Sequence, residues 1–258
     1  MSLVTTLSAW LTPIFIVMSP ILSYSDQALA MHRNKSSAGF SLDIPLIMLI
    51  ASILKCFYWL GCHFDISLLL QAILMIFMQV VLLKIALDNR PSPKAEAAIP
   101  FAGAQEKRFL SGPRPYEFWQ WPSSKPYWSF LVYFTGALVV LHVLLSSTPM
   151  YQSYSDLIGF IGLGIEAILP LPQIMANAEV RSCKGFRLSV LANWLAGDAM
   201  KLFWFFTATS TIPMSFKMCG IFQSCCDAFL GVQYCFYGDG EAQGDFAMQP
   251  VTTVEKLT

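Results

Sequence analysis

The sequence predicts an all-α integral membrane protein: seven transmembrane helices arranged as two parallel three-helix repeats joined by a linker helix. Three observations predict it. Of 258 residues, 55% are hydrophobic and only 12% charged, with a mean hydropathy of +0.56, which is too apolar for an ordinary soluble domain. Seven apolar runs, at roughly 3–30, 42–61, 66–88, 127–147, 154–178, 187–209 and 214–237, each approach the ~20 residues a spanning helix needs. The second half also repeats the first at a fixed offset of 146 residues, which pairs Gln27 with Gln173, Gly39-Phe40 with Gly185-Phe186, Leu42 with Leu188, Lys55 with Lys201 and Phe57 with Phe203.

Residues 1–88 hold spans 1 to 3, the first repeat, and residues 148–237 hold spans 5 to 7, the second. Span 4, at 127–147, lies between them. Three spans alone would invert the second copy relative to the first; the extra helix restores the same orientation, so the repeats are parallel about an axis along the membrane normal. Span 1 lacks a basic leader and carries Pro13 and Pro20 within a longer stretch, so it reads as a mature helix rather than a signal peptide. Residues 89–126 form a polar loop that begins as a flexible linker and ends in Phe118, Trp119, Gln120 and Trp121. Phe118, Trp119 and Trp121 suit the headgroup level of the bilayer; packing beneath the helical bundle is the alternative. The tail, 238–258, is polar and expected to be disordered.

Charge placement gives the orientation. Arg33 and Lys35 follow span 1, six Lys and Arg residues lie between Arg90 and Lys125, and Arg181, Lys184 and Arg187 follow span 5, whereas the loops after spans 2 and 4 have none. Basic loops stay cytosolic, which puts the N-terminus in the lumen and the C-terminus in the cytosol. Formal net charge is zero, so whole-molecule electrostatics predicts no nucleic-acid partner. The seven cysteines show no CxxC spacing and suggest neither a metal site nor a disulfide framework. Nucleotide, zinc-protease and serine-hydrolase motifs are not found. The expectation is a protein without cofactor or metal, and not an enzyme.

Pro172-Gln173 near the end of span 5, a basic loop, and Gly185-Phe186 opening span 6 resemble the PQ-loop motif of the PQ-loop repeat membrane proteins, the solute carrier 66 family that includes cystinosin, with its MtN3-like fold. The first repeat departs from the motif with Asp26-Gln27 in place of Pro-Gln. Phe118-Trp119-Gln120-Trp121, Glu166 ahead of Pro172-Gln173, Trp194 with Gly197-Asp198-Ala199 and Lys201, and Cys219-Gly220 with Gln223 and Asp227 are similar to the member 2 branch of that family, which includes a fungal antagonist of an aminophospholipid flippase. The resemblance covers nearly the whole chain. It implies residence in Golgi and endosomal membranes and scrambling of phospholipids.

Independently of the family, ionisable residues inside apolar spans need a reason, because each costs ~2.5–3.5 kcal/mol at a helix centre. Asp198 and Lys201 lie three apart on span 6 and share a face. Lys55 holds the matching depth on span 2, where Ser52 stands in place of the aspartate. Glu166 on span 5 and Asp227 on span 7 add two more acids, either of which is a candidate partner for Lys55 across the bundle. Interhelical polar contacts in membranes return only ~0.6 kcal/mol on average, so locking helices together is the weaker explanation. Asn193, Gly197 and Lys201 form one helical stripe, Gln223 and Asp227 a second, and Glu166, Pro170 and Gln173 a third, as expected of helices lining a hydrated pathway. Pro20, Pro170 and Pro172 are candidate hinges. Gln27 and Gln173 are placed to bond carbonyls freed by those prolines, in either a gating or a structural role.

The leading expectation is a passive scramblase that moves headgroups of membrane phospholipids along this polar path, opposing flippase-made asymmetry. The alternatives are a cystinosin-like, proton-coupled exporter of an amino acid or other small solute using Asp198 or Glu166, and a non-transporting scaffold that recruits a flippase or trafficking partner through the 89–126 loop. For the exporter, the cystinosin-type aspartate falls at Trp194 in this sequence.

Overall fold

In the computed structural model of the protein, the described residues are 3–35, 37, 42–90, 119, 121, 123–183, 188–208 and 211–238. Gly39-Phe40, Gly185-Phe186, Phe118, most of the 89–126 loop and the tail beyond Gly238 lie outside them. Eight helices carry the described chain: α1 Leu3–Asn34, α2 Asp43–Cys62, α3 Ile66–Asp88, α4 Lys125–Leu145, α5 Tyr151–Ala167, α6 Pro170–Val180, α7 Leu188–Thr207 and α8 Met214–Tyr237. Hydrocarbon offers no partner to a backbone N–H or C=O, so apolar runs of this length close their hydrogen bonds internally. Seven segments are thus helical where the sequence placed them, with span 5 divided into α5 and α6. Five of the seven, Leu11–Asn34, Asp43–Cys62, Ile66–Asp88, Lys125–Leu145 and Tyr151–Glu179, are long and apolar enough to cross a membrane. Polar residues dilute the apolar character of α7 and α8, which are nonetheless 20 and 24 residues long.

In the first half α3 packs between α1 and α2, and in the second α8 packs between the α5–α6 segment and α7. Matched local geometry reinforces this likeness. Lys35 and Arg181, equivalent at the 146-residue offset, end span 1 and span 5 in the left-handed conformation, with φ of 47° and 51°. Two residues on, the Ser37 N–H donates to Asn89 O at 2.9 Å, and the Cys183 N–H to Gly238 O at 3.1 Å. Asn89 and Gly238 cap α3 and α8. Each half therefore straps the end of its first helix to the end of its third.

All of these caps lie at one end of the molecule, with Arg33, Lys35, Arg90 and Arg181; we call it the basic end. Residues 63–65 and 211–213 mark the opposite end. There a single buried cluster draws on all six repeat spans: Ile16 of α1, Tyr58 of α2, Leu68 of α3, Leu163 of α5, Trp204 and Phe205 of α7 and Phe216 of α8. Toward the basic end the described cores separate. Ala28, Met31, Leu82 and Ala86 join α1 to α3, and a second cluster joins α2, α3, α4 and α5 around Leu49, Leu83 and Ile158, with Leu42 packed against both.

Between the halves, α2 packs along α5 and α1 packs more sparsely on α7. Small residues let α2 and α5 approach: a Cβ on Gly159 would strike the Tyr58 ring, one on Gly162 would strike Leu54 and the Ala51 carbonyl, and one on Gly61 would strike Ser155. The linker α4 lies over this seam, touching both α2 and α5.

At three places the structure specifies what the sequence left open. Pro20 does not interrupt α1, which runs continuously through it; the Ile16 carbonyl that Pro20 leaves without its helical N–H accepts from Ser19 Oγ at 2.8 Å. Span 5 does break, at Ile168-Leu169, where Leu169 N–H turns to Glu166 O and Leu171 N–H to Ile168 O. Pro170 and Pro172 then sit in the first turn of α6, where a missing N–H costs nothing. Trp119 is not presented to headgroups. It is 1% exposed, donates Nε1–H to Leu42 O at 2.6 Å and meets Tyr127 edge-on at 4.7 Å. Trp121 is half-buried beside it and accepts from the Arg90 guanidinium through its carbonyl. Trp119 and Trp121 therefore pack beneath the bundle.

Overpacking the α2/α5 seam makes this testable. Gly159→Val forces the Tyr58 ring to move and is expected to cost about 1–3 kcal/mol. Gly136→Ala on α4, where a Cβ meets nothing, is expected to gain about 0.5–1 kcal/mol. Thermal unfolding in detergent, followed by tryptophan fluorescence, should show the midpoint falling for the first and not for the second.

Candidate functional site

Beneath the aromatic cluster, roughly midway along the helices, lies a polar crevice lined by residues of both halves: Lys55 on α2, Gln71 on α3, Glu166 on α5, Lys201 on α7 and Gln223 on α8. Its cavity volume is about 30 Å³, room for about two waters. The helix ladders hold these side chains at one depth because Lys55 and Lys201 occupy equivalent positions in equivalent helices. The crevice floor toward the non-basic end is apolar, formed by Leu68, Leu163, Phe205 and Phe216.

The ions divide into two sets. Lys55 Nζ meets Glu166 Oε2 at 2.6 Å, with side chains 3% and 17% exposed. This is a short, charge-assisted contact joining the halves. Glu166 also lies in the field of Lys201. Lys201 makes two longer contacts, to Asp198 Oδ1 at 3.4 Å and to Gln223 Oε1 at 3.3 Å. Behind Lys201, away from the crevice lining, Asp198 and Asp227 are both buried, each close enough to feel the other's charge. Among the described residues no donor reaches Asp198 Oδ2 or Asp227 Oδ1.

Of the residues expected to form a pathway, the structure gathers Lys55, Glu166, Lys201 and Gln223. Asp198 stands one shell back as the partner of Lys201, and Asp227 behind it. Ser52 is fully buried one turn from Lys55 and outside the crevice lining, and among the described residues its Oγ has no hydrogen-bond partner. The Asn193 side chain lies outside the described residues. The stripe of Glu166, Pro170 and Gln173 is cut by the helix break, so Gln173 leaves the site and donates instead to Asn177 Oδ1 at 2.7 Å. Gln27 is exposed on α1, and among the described residues neither glutamine bonds a proline-freed carbonyl. Gln71 was not anticipated. It lines the crevice and donates Nε2–H to Ser19 Oγ on α1 at 3.4 Å. An amide inside an otherwise apolar span was the available signal, and it applies equally to Gln79, which is 0% exposed in α3.

The PQ loop repeat family profile matches residues 154–214, from α5 through the helix break and α7 to the start of α8. Residues 154–214 thus match a PQ loop repeat. Scramblase ANY1 of Saccharomyces cerevisiae is 28% identical to the chain over 290 aligned positions, covering 88% of this chain and 72% of the yeast protein. The PQ-loop repeat and the five apolar spanning helices make this a multi-pass integral membrane protein. The crevice residues Glu166 and Lys201 fall inside the PQ-loop match, and Lys55 and Gln71 face them from the first half.

A buried ion pair that loses one partner strands the other charge, whereas removing both is far milder. Glu166→Gln is therefore expected to lower stability by about 3–5 kcal/mol, and adding Lys55→Met to recover most of that loss. A double-mutant cycle on thermal midpoints in detergent checks the coupling.

Proposed function

We propose that the protein is a passive phospholipid scramblase of Golgi and endosomal membranes, opposing the asymmetry that flippases build. One observation carries the reading: a crevice at mid-depth between the two halves presents cationic and anionic side chains together. The barrier to flip-flop is desolvation of a charged headgroup. A zwitterionic headgroup crossing between the bundles exchanges water for Lys55, Lys201, Glu166 and the two glutamine amides, while its acyl chains remain in hydrocarbon. The printed name of the yeast relative supports the same activity.

By the positive-inside rule the basic end faces the cytosol. The aromatic cluster around Tyr58, Phe205 and Phe216 then closes the lumenal side, and the separated cores lie toward the cytosol. Room for two waters is too little for a headgroup, so passage requires the halves to part. Tyr58 Oη and Ser215 Oγ, 3.1 Å apart, join α2 to α8 across that closure.

Purified protein in liposomes is expected to equilibrate a fluorescent phospholipid between leaflets without nucleotide, and Glu166→Gln to slow it. Equal dithionite-accessible fractions in protein-containing and empty liposomes would refute the activity. The buried Asp198–Asp227 carboxyl pair favours a second reading, proton-coupled export of a small solute. That reading requires uptake driven by a pH gradient and abolished in Asp227→Asn, measured on the same liposomes.

A further inference from the structure

Internal symmetry calls for two equivalent seams between the halves, α2 against α5 and α7 against α1. The structure closes only the first. On α2, Ala51, Leu54 and Lys55 are 0%, 6% and 3% exposed. Their counterparts on α7 are Gly197, where a Cβ would meet nothing, Met200 at 38% and Lys201 at 24%. One turn further, Tyr58 and its counterpart Trp204 are both buried. The second seam is therefore open at mid-depth and shut at the non-basic end, where Ile16 of α1 joins the aromatic cluster. The linker α4 covers the closed seam, and among the described residues no helix covers the other.

Charge follows the same asymmetry. The counterpart of Glu166 in the first half is Pro20, so the open seam has a lysine but not the acid that would neutralise it from across. Lys201 carries three donors and uses them on two long contacts, whereas Lys55 is held short by Glu166. Asp198, which balances Lys201 from its own helix, lies outside the crevice lining at 3.4 Å, so on the crevice side the ammonium is open to an anionic ligand.

We propose that the α1/α7 seam is the lateral entry for phospholipid and that Lys201 docks the headgroup phosphodiester there. This rests on the scramblase reading and adds its route and its anchor. A phosphodiester offers unhindered anionic oxygens to an ammonium. An entrance open to the bilayer lets the acyl chains stay outside the protein while the headgroup reaches the lysine.

The test compares liposomes carrying labelled phosphatidylcholine with liposomes carrying labelled glucosylceramide, whose headgroup has no charge. Wild type is expected to scramble the phospholipid well and the glycolipid poorly. Equal rates would overturn the phosphate anchor without any variant. Lys201→Met should slow phosphatidylcholine by roughly tenfold, the effect of losing one charge-assisted contact, and leave the slow glycolipid rate unchanged. Lys201→Arg should retain most of the activity. Wild-type speed in Lys201→Met, or equal slowing of both lipids, would overturn the anchor. Gly197→Phe puts bulk into the open seam without changing charge, and should slow phosphatidylcholine severalfold while eluting from a sizing column as wild type does. Wild-type scrambling by this folded variant would overturn the route. Radiolabelled inorganic phosphate should not enter the liposomes; entry that depends on Lys201 would reassign the site to a free anion and overturn the lipid assignment. No scrambling by the wild type would instead defeat the scramblase reading itself.

Discussion

The Lys55–Glu166 pair is the contact around which the rest of the structure is organised. At 2.6 Å, with the lysine 3% exposed, it joins the two halves at the depth where an unpaired charge is most expensive. Such a pair makes sense only if α2 and α5 stay together, and the glycines at 61, 159 and 162 let them do so. One seam is thereby fixed by geometry and charge together, and α4 lies over it.

That commitment makes the two repeats unequal despite their likeness. Both pack the third helix between the first two, and both end span 1 and span 5 in the same left-handed cap. The departures are few and fall at matched positions. Where the second half has Glu166 the first has Pro20, and where it has Asp198 the first has Ser52. Lys55 is consequently neutralised by the other half, and Lys201 by its own helix. The first arrangement binds the bundles to each other. The second leaves them free.

Much of this was legible in the chain. Helix positions followed from apolar length, and the 146-residue offset implied parallel halves whose shared geometry reaches down to the φ angles of Lys35 and Arg181. The identity of the ions at the crevice followed from the cost of placing charge in an apolar span. Pairing was less accessible, because Lys55 had two acids within plausible reach and nothing local distinguishes Glu166 from Asp227. Pro20 and Pro170 illustrate a second limit: both remove a helical donor, but Ser19 supplies a replacement in α1 whereas the 168–169 segment tightens and breaks. Trp119 illustrates a third. Its composition suits an interface, and only the neighbouring Leu42 carbonyl, distant in sequence, decides that it is buried. The openness of one seam against the other had no local signature, since matched residues such as Ala51 and Gly197 differ by a single methyl group.

The straps from Ser37 to Asn89 and from Cys183 to Gly238 carry a mechanical consequence. Each ties two helix ends within its own trio, and neither crosses to the other trio. Separating those two helix ends must break the strap, whereas tilting one trio against the other breaks neither. The straps thus oppose splaying within each trio, and leave the relative tilt of the two trios to the contacts between them, the Lys55–Glu166 salt link and the aromatic closure.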